Sequence, residues 1–122
     1  MDVFKEIFTT EGRLNRREHF KYQTIWIALI VLATLTSSLL MDFLTGVPDS
    51  ELGKSIGGFL CMIGLIGFCT ILARRMHDLN MSGYFGLIIF VPVIGTFFLI
   101  YLFVGAGTAG ANKYGEEPLT YE

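Results

Sequence analysis

Three long stretches of the chain carry no charged side chain at all, and this feature limits what the polypeptide can fold into more than any other. No Asp, Glu, Lys or Arg occurs from Tyr22 to Met41, from Ser55 to Ala73, or from Leu79 to Asn112. A helix needs roughly 18 to 20 residues to cross the ~30 Å hydrocarbon core of a bilayer, and each run supplies them. Hydrophobic residues make up 52% of the chain and charged ones 16%, whereas soluble domains hold about 45–50% and about 25%. The excess needs a non-aqueous solvent. Once three spans are set aside, the polar segments are too short and scattered to enclose a core of their own.

The expected organisation is therefore one membrane domain over 1–122: an interfacial N-terminal segment (1–15), a first span with a polar extension (16–44), a loop (45–54), a second span (55–75), a loop (76–82), a third span (83–104) and a Gly-rich tail (105–122). The fold class is an all-α membrane protein, a three-span helical bundle with a short N-terminal interfacial helix and a Pro/Gly-interrupted third segment. The first run is longer than the ~7–15 residue apolar centre of a signal peptide and follows a long, helix-patterned polar segment, so it reads as a retained span. Cys61 and Cys69 lie eight residues apart in the second run. That is about 12 Å along a helix, too far for a mutual disulfide.

Basic residues near span ends are retained in the cytoplasm, so their distribution sets orientation. Lys5, Arg13, Arg16, Arg17 and Lys21 precede the first span, Lys54 lies in the first loop, Arg74 and Arg75 end the second, and Lys113 is in the tail. A three-span arrangement with the N-terminus inside places seven of them in the cytoplasm and two outside. The third run is interrupted at its middle by Pro92 and Gly95. Proline removes a helix hydrogen bond and glycine permits a sharp turn. One kinked span is the simpler account, since Tyr84 to Val104 is long enough to cross once and too short to cross twice. A re-entrant hairpin, which returns the tail to the cytoplasm, is the alternative.

Ahead of the first span, Val3, Phe4, Ile7 and Phe8 recur at helical spacing with Asp2, Lys5 and Glu6 between them, the pattern of a short helix lying in the interface. Gly12 can end it. Asn15 stands three residues before Glu18, a capping-box-like signal that starts a new helix at Arg16. In the second span Gly53, Gly57 and Cys61 recur every four residues and Gly64 and Gly67 follow. Small residues at such spacing let a neighbouring helix approach closely, so Gly57, Cys61 and Gly64 are the expected packing positions, within the chain or between copies. No ionisable residue lies in mid-membrane, which removes the usual mark of a proton relay or ion-coupled carrier.

Three polar stretches remain: Gly12 to Phe20 (Gly-Arg-Leu-Asn-Arg-Arg-Glu-His-Phe), Ala73 to Asp78 (Ala-Arg-Arg-Met-His-Asp) with Ser82 and Gly83, and Gly107 to Pro118 with Gly110, Asn112, Tyr114 and Gly115. In order and spacing, across nearly the whole chain, they resemble the signatures of the YhaH/YhaI-like family of small bacterial inner-membrane proteins of unknown function. Met76 stands where that pattern usually has Leu, Tyr84 and Phe85 where it favours Trp, and Glu116 and Glu117 where it often reads Pro-Asp. The resemblance implies a bacterial inner-membrane location and brings no established activity or cofactor with it.

On their own chemistry, Arg74, Arg75, His77 and Asp78 at the end of the second span complement its dipole and hold the loop inside. The alternative reading is a site in which Arg13, Arg16 and Arg17 face Arg74 and Arg75 and clamp a phosphate, an anionic lipid headgroup above all, because guanidinium forks bind phosphate bidentately. Glu18 and Asp78 are the expected salt-bridge partners. His19 and His77 are the only histidines and no Cys lies near either, so no metal site and no cofactor is expected. Gly105 to Gly110 spells GxGxxG, but the dinucleotide motif works only between a strand and a helix. With a net charge of −2 and basic residues confined to span ends, nucleic acid is not an expected partner. The favoured function is a non-enzymatic interaction or lipid-contacting protein, partnered by membrane lipids and by a larger membrane protein or further copies of itself. The alternative is a subunit of a small oligomeric transporter or channel, its pore lined by Thr34, Ser37 and Ser38 or by the glycine face of the second span.

Overall fold

The computed structural model describes residues 3–118, without the Val3 side chain; Asp2 and tail residues 119–122 lie outside the described residues. The elements are α1 (Val3–Ile7), α2 (Arg16–Thr45), α3 (Glu51–Asp78), a 3₁₀ helix (Gly83–Phe90) and α4 (Ile94–Val104). Among the described residues there is no β-strand beyond an isolated bridge between Asn112 and Gly115.

Two of these helices are long and apolar enough to cross a membrane. At 1.5 Å per residue the 30 residues of α2 and the 28 of α3 measure about 45 and about 42 Å. α2 opens on Asn15, whose side-chain oxygen accepts from the Glu18 backbone N–H at 2.8 Å, and closes on Gly46 in the left-handed region. α3 starts at Glu51, four residues before the expected second span, because Ser50 caps it by accepting from Gly53 N–H at 3.1 Å. The Asp42 carboxylate accepts from Ser50 N–H across the turn and fixes it.

The two helices pack antiparallel through glycine. A Cβ at Gly64 would press on Ile30, one at Gly57 would touch Thr34, and one at Gly67 would overlap the Trp26 indole. Trp26 donates its ring N–H to the Gly64 carbonyl at 2.8 Å, which requires the close approach these glycines permit. Cys61 does not share this face and is exposed. At 100° per residue it lies roughly 75° around the helix from the mean direction of Gly53, Gly57, Gly64 and Gly67.

The third run does not continue as one helix. After Asp78 the chain turns in a Schellman motif, Met81 N–H to Met76 O and Asn80 N–H to His77 O, with Asn80 in the left-handed region at φ 59°. The 3₁₀ helix then runs back along α3, with Gly83 against Ala73, Gly86 against Met76, and Ile89 and Phe90 beside Cys69 and Leu72. At Pro92 it reverses. Val93 takes φ 67° and ψ −63°, and Ile94 N–H bonds Pro92 O at 2.8 Å, a strained three-residue turn. Gly95 then packs directly on the carbonyls of Ile88 and Ile89, which no side chain would allow. α4 climbs back until Leu102 rests against Leu72 and Met76. The run thus forms a hairpin whose two ends meet at the Asp78 end of α3, the path of the re-entrant alternative.

α1 docks at the same level on the other side. Ile7 is fully buried with Leu14, Trp26 and Ile71, its carbonyl accepts from the Thr70 hydroxyl, and Phe8 meets Trp26 edge-on at 5.2 Å. Phe4 and Phe8 stay exposed, so only part of the expected interfacial face looks outward.

Candidate functional site

A helix end leaves its last carbonyls without partners, and α3 ends where the three polar stretches of the sequence meet. Leu14 N–H bonds Arg74 O, Thr108 N–H bonds Asp78 O at 2.7 Å, and the Asn112 side-chain amide donates to His77 O at 2.9 Å. The His77 Nδ1 lies 3.1 Å from Gly12 O and, since a carbonyl only accepts, carries the proton. Its ring stacks on Tyr114 with centroids 4.0 Å apart.

At the centre the Asp78 carboxylate takes two arginines. Arg13 bonds Oδ1 through Nε at 3.1 Å and Nη2 at 3.0 Å, and Arg75 bonds Oδ2 through Nη1 at 2.6 Å. These side chains are only 1% (both arginines) and 4% (Asp78) exposed. The trio carries one net positive charge in the interior, and main-chain oxygens absorb it. Arg13 also donates to Thr108 O at 2.5 Å, Gly110 O at 2.6 Å and Gly115 O at 3.3 Å. Arg75 donates to Leu102 O at 2.6 Å, to Leu14 O at 3.3 Å and to Gly105 O. Gly107 lies so close to Asp78 that a Cβ there would overlap the carboxylate. The GxGxxG letters therefore mark a tail that must approach a buried ion cluster closely.

The arginines divide into two groups. Arg13 and Arg75 turn inward, and Arg74 pairs with Glu6, at 2.8 Å to its carbonyl and 3.1 Å to its carboxylate. Their forks meet Asp78, Glu6 and main-chain oxygens instead of opening together on a shared anion pocket. A guanidinium presents five donors in one plane; at Arg13 and Arg75 the wrapped tail carbonyls and Asp78 take up most of them, whereas the buried Arg74 Nε meets no hydrogen-bond partner among the described residues. Arg16 and Arg17 are exposed on the first turn of α2, where Arg16 Nη1 lies 3.5 Å from Val104 O. Glu18 is half-buried, with its backbone held by the Asn15 cap. A cleft of about 170 Å³ beside Arg16 is lined by Asn15, Asp78, Gly107, Thr108 and Glu117. It has room for about five waters. His19 is buried against Phe103, centroids 4.6 Å apart, and neither ring nitrogen meets a hydrogen-bond partner among the described residues. No group of three or more His, Cys, Asp or Glu is placed to hold a metal among the described residues.

Sequence reasoning missed the Glu6 to Arg74 pair, the Ser50 cap and above all the tail carbonyls. Ser50 three residues before Gly53 was available as a cap signal, whereas a main-chain acceptor has no letter of its own.

The class these features define is a small all-helical membrane protein of two long apolar helices, tied at one end by a buried ion cluster. A family described as "Protein of unknown function (DUF805)" matches residues 7–116, and the chain belongs to it. It is 30% identical to the inner membrane protein YhaI of Escherichia coli K12 over 122 residues, 97% of this chain and 92% of the relative. It is 27% identical to the inner membrane protein YhaH of the same strain, over 97% of this chain and 93% of that one. No solved structure matches.

Proposed function

We propose that this is a non-enzymatic, lipid-contacting protein of the bacterial inner membrane, in which α2 and α3 cross the bilayer, the Gly83 to Val104 hairpin re-enters it, and both terminal segments stay cytoplasmic. The names of its relatives support the location. Charge supports the orientation. With the tail folded back onto His77, Lys113 joins the other basic residues at the Asp78 end, and Lys54 alone sits at the far turn.

The observation that carries the lipid reading is the outer face of α2 at its start. Arg16, Arg17 and Lys21 are exposed there next to Phe20, which is 61% exposed, at the edge of the uncharged run. Cations beside an exposed aromatic at that depth meet phosphate on one side and acyl chain on the other. Arg13, Arg74 and Arg75 hold the fold, and Arg16 with Arg17 engages anionic headgroups of the inner leaflet.

Native mass spectrometry of the protein released from mixed phosphatidylglycerol and phosphatidylethanolamine tests this. The double variant Arg16→Gln/Arg17→Gln should retain less phosphatidylglycerol than the parent, and Arg16→Lys/Arg17→Lys should fall between, because lysine keeps charge but not the planar fork. Equal retention by all three proteins refutes the site.

A further inference from the structure

Two levels of the molecule differ in width. On α3, the contacts of α1, the 3₁₀ helix and α4 fall between Gly67 and Asp78, and on α2 those of α1 and α4 fall between Arg16 and Trp26. Over the remaining length, 27–45 and 50–66, the only buried residues are Ser50, Gly53 and Gly57, and their contacts are with the opposite helix or the turn. One half of the bilayer therefore meets two helices and the other half meets a collar around them.

The collar is itself apolar. Leu87, Phe90, Val93, Ile94, Phe97 and Val104 are each 59–67% exposed. No charged residue interrupts 79–112, so acyl chains are the solvent these side chains fit. A helix of ~10 Å diameter occupies about 80 Å² in cross-section, so the hairpin alone adds about 160 Å² to a single leaflet. The wide end is also braced. Arg75 bonds the carbonyls of Leu102 and Gly105 at the end of α4, Arg13 bonds three tail carbonyls, and Arg74 holds Glu6 of α1. Moving the collar off this end would break buried charge-assisted hydrogen bonds from Arg75 and Arg13 to its carbonyls.

We infer that the protein is a one-leaflet wedge, and that it partitions toward membrane curved with its cytoplasmic leaflet on the convex side. The partner is the lipid bilayer itself, recognised by shape. The inference rests on the re-entrant reading of the hairpin given above.

The test uses the full chain in two preparations, with a small dye on a cysteine inserted after Met1 or on one appended after Glu122, each in a Cys61→Ala/Cys69→Ala background and reconstituted into giant vesicles from which narrow tubes are drawn. Membrane-impermeant quencher reports which side each terminus occupies. Where both termini face outward, the protein-to-lipid signal in the tube should exceed that of the parent vesicle and rise as the tube narrows. Where both face inward it should fall below it. Arg13→Lys, which keeps the charge beside Asp78 but loses the fork to the tail, should weaken both effects. Equal ratios in the two orientations, with both termini on one side, overturn the wedge and leave the topology standing. Termini on opposite sides overturn both.

Discussion

Replacing Asp78 by Asn removes one negative charge and almost no volume, which makes it the sharpest probe of the ion cluster. In the parent, one carboxylate oxygen faces Arg13 and the other faces Arg75. Asparagine keeps a carbonyl for one of them and turns an amide donor toward the other, leaving two guanidinium charges in an interior where they are 1% exposed. Breaking a buried pair by removing one partner costs about 3–5 kcal/mol. Asp78→Asn should lose stability in that range, because the tail carbonyls carry only partial charge. The single tryptophan, Trp26, sits in the core next to Ile7 and Leu14, so its emission during SDS titration in detergent micelles reads the loss. A second arm adds Arg13→Gln. The double variant should be less destabilised than the sum of the singles, with a coupling on the order of 1–3 kcal/mol. Glu51→Gln, at a side chain 90% exposed, serves as control and should stay within about 0.5 kcal/mol. An Asp78→Asn protein as stable as that control would refute the view that these ties hold the collar.

Two glycines of α3 should respond in opposite directions. Gly67→Ala puts a Cβ into the Trp26 ring and should cost about 1–3 kcal/mol, whereas Gly58→Ala meets open space and should gain up to about 1 kcal/mol from helix propensity; the same SDS titration checks both. A reporter fused after Glu122 should be active in the cytoplasm, and activity only on the far side would mean that 83–104 crosses as one span.

Much of the scaffold was legible because it depends on local chemistry. The uncharged runs marked the two long helices, Asn15 with Glu18 marked the start of α2 at Arg16, and Pro92 with Gly95 marked the break in the third run. The direction taken after the break was not legible, since it depends on Gly95 seating on the Ile88 and Ile89 carbonyls and on Leu102 reaching Leu72, contacts between distant parts of the chain. Cys61 misled because a four-residue repeat drifts around a helix of 3.6 residues per turn, so two steps from Gly53 leave the packing face. The arginines were legible as a group sharing one end of the molecule. Their division was not: whether a guanidinium faces outward or is consumed inside was decided by the main-chain path of 105–115, which lies on Arg13 and Arg75.

That path also has a consequence for the order of biogenesis. The ribosome delivers Arg13, then Arg75 and Asp78, and only afterwards the carbonyls of Leu102, Gly105, Thr108, Gly110 and Gly115 that complete their coordination. While the tail is still in the exit tunnel, two guanidiniums share one carboxylate and lack most of their other acceptors. The two long helices can form as they emerge, but the Asp78 end closes only when the last segment arrives. A nascent chain halted before Gly105 would thus hold both long helices but leave their shared end open and charged, with Arg13 and Arg75 short of the carbonyls that take up their donors in the finished fold.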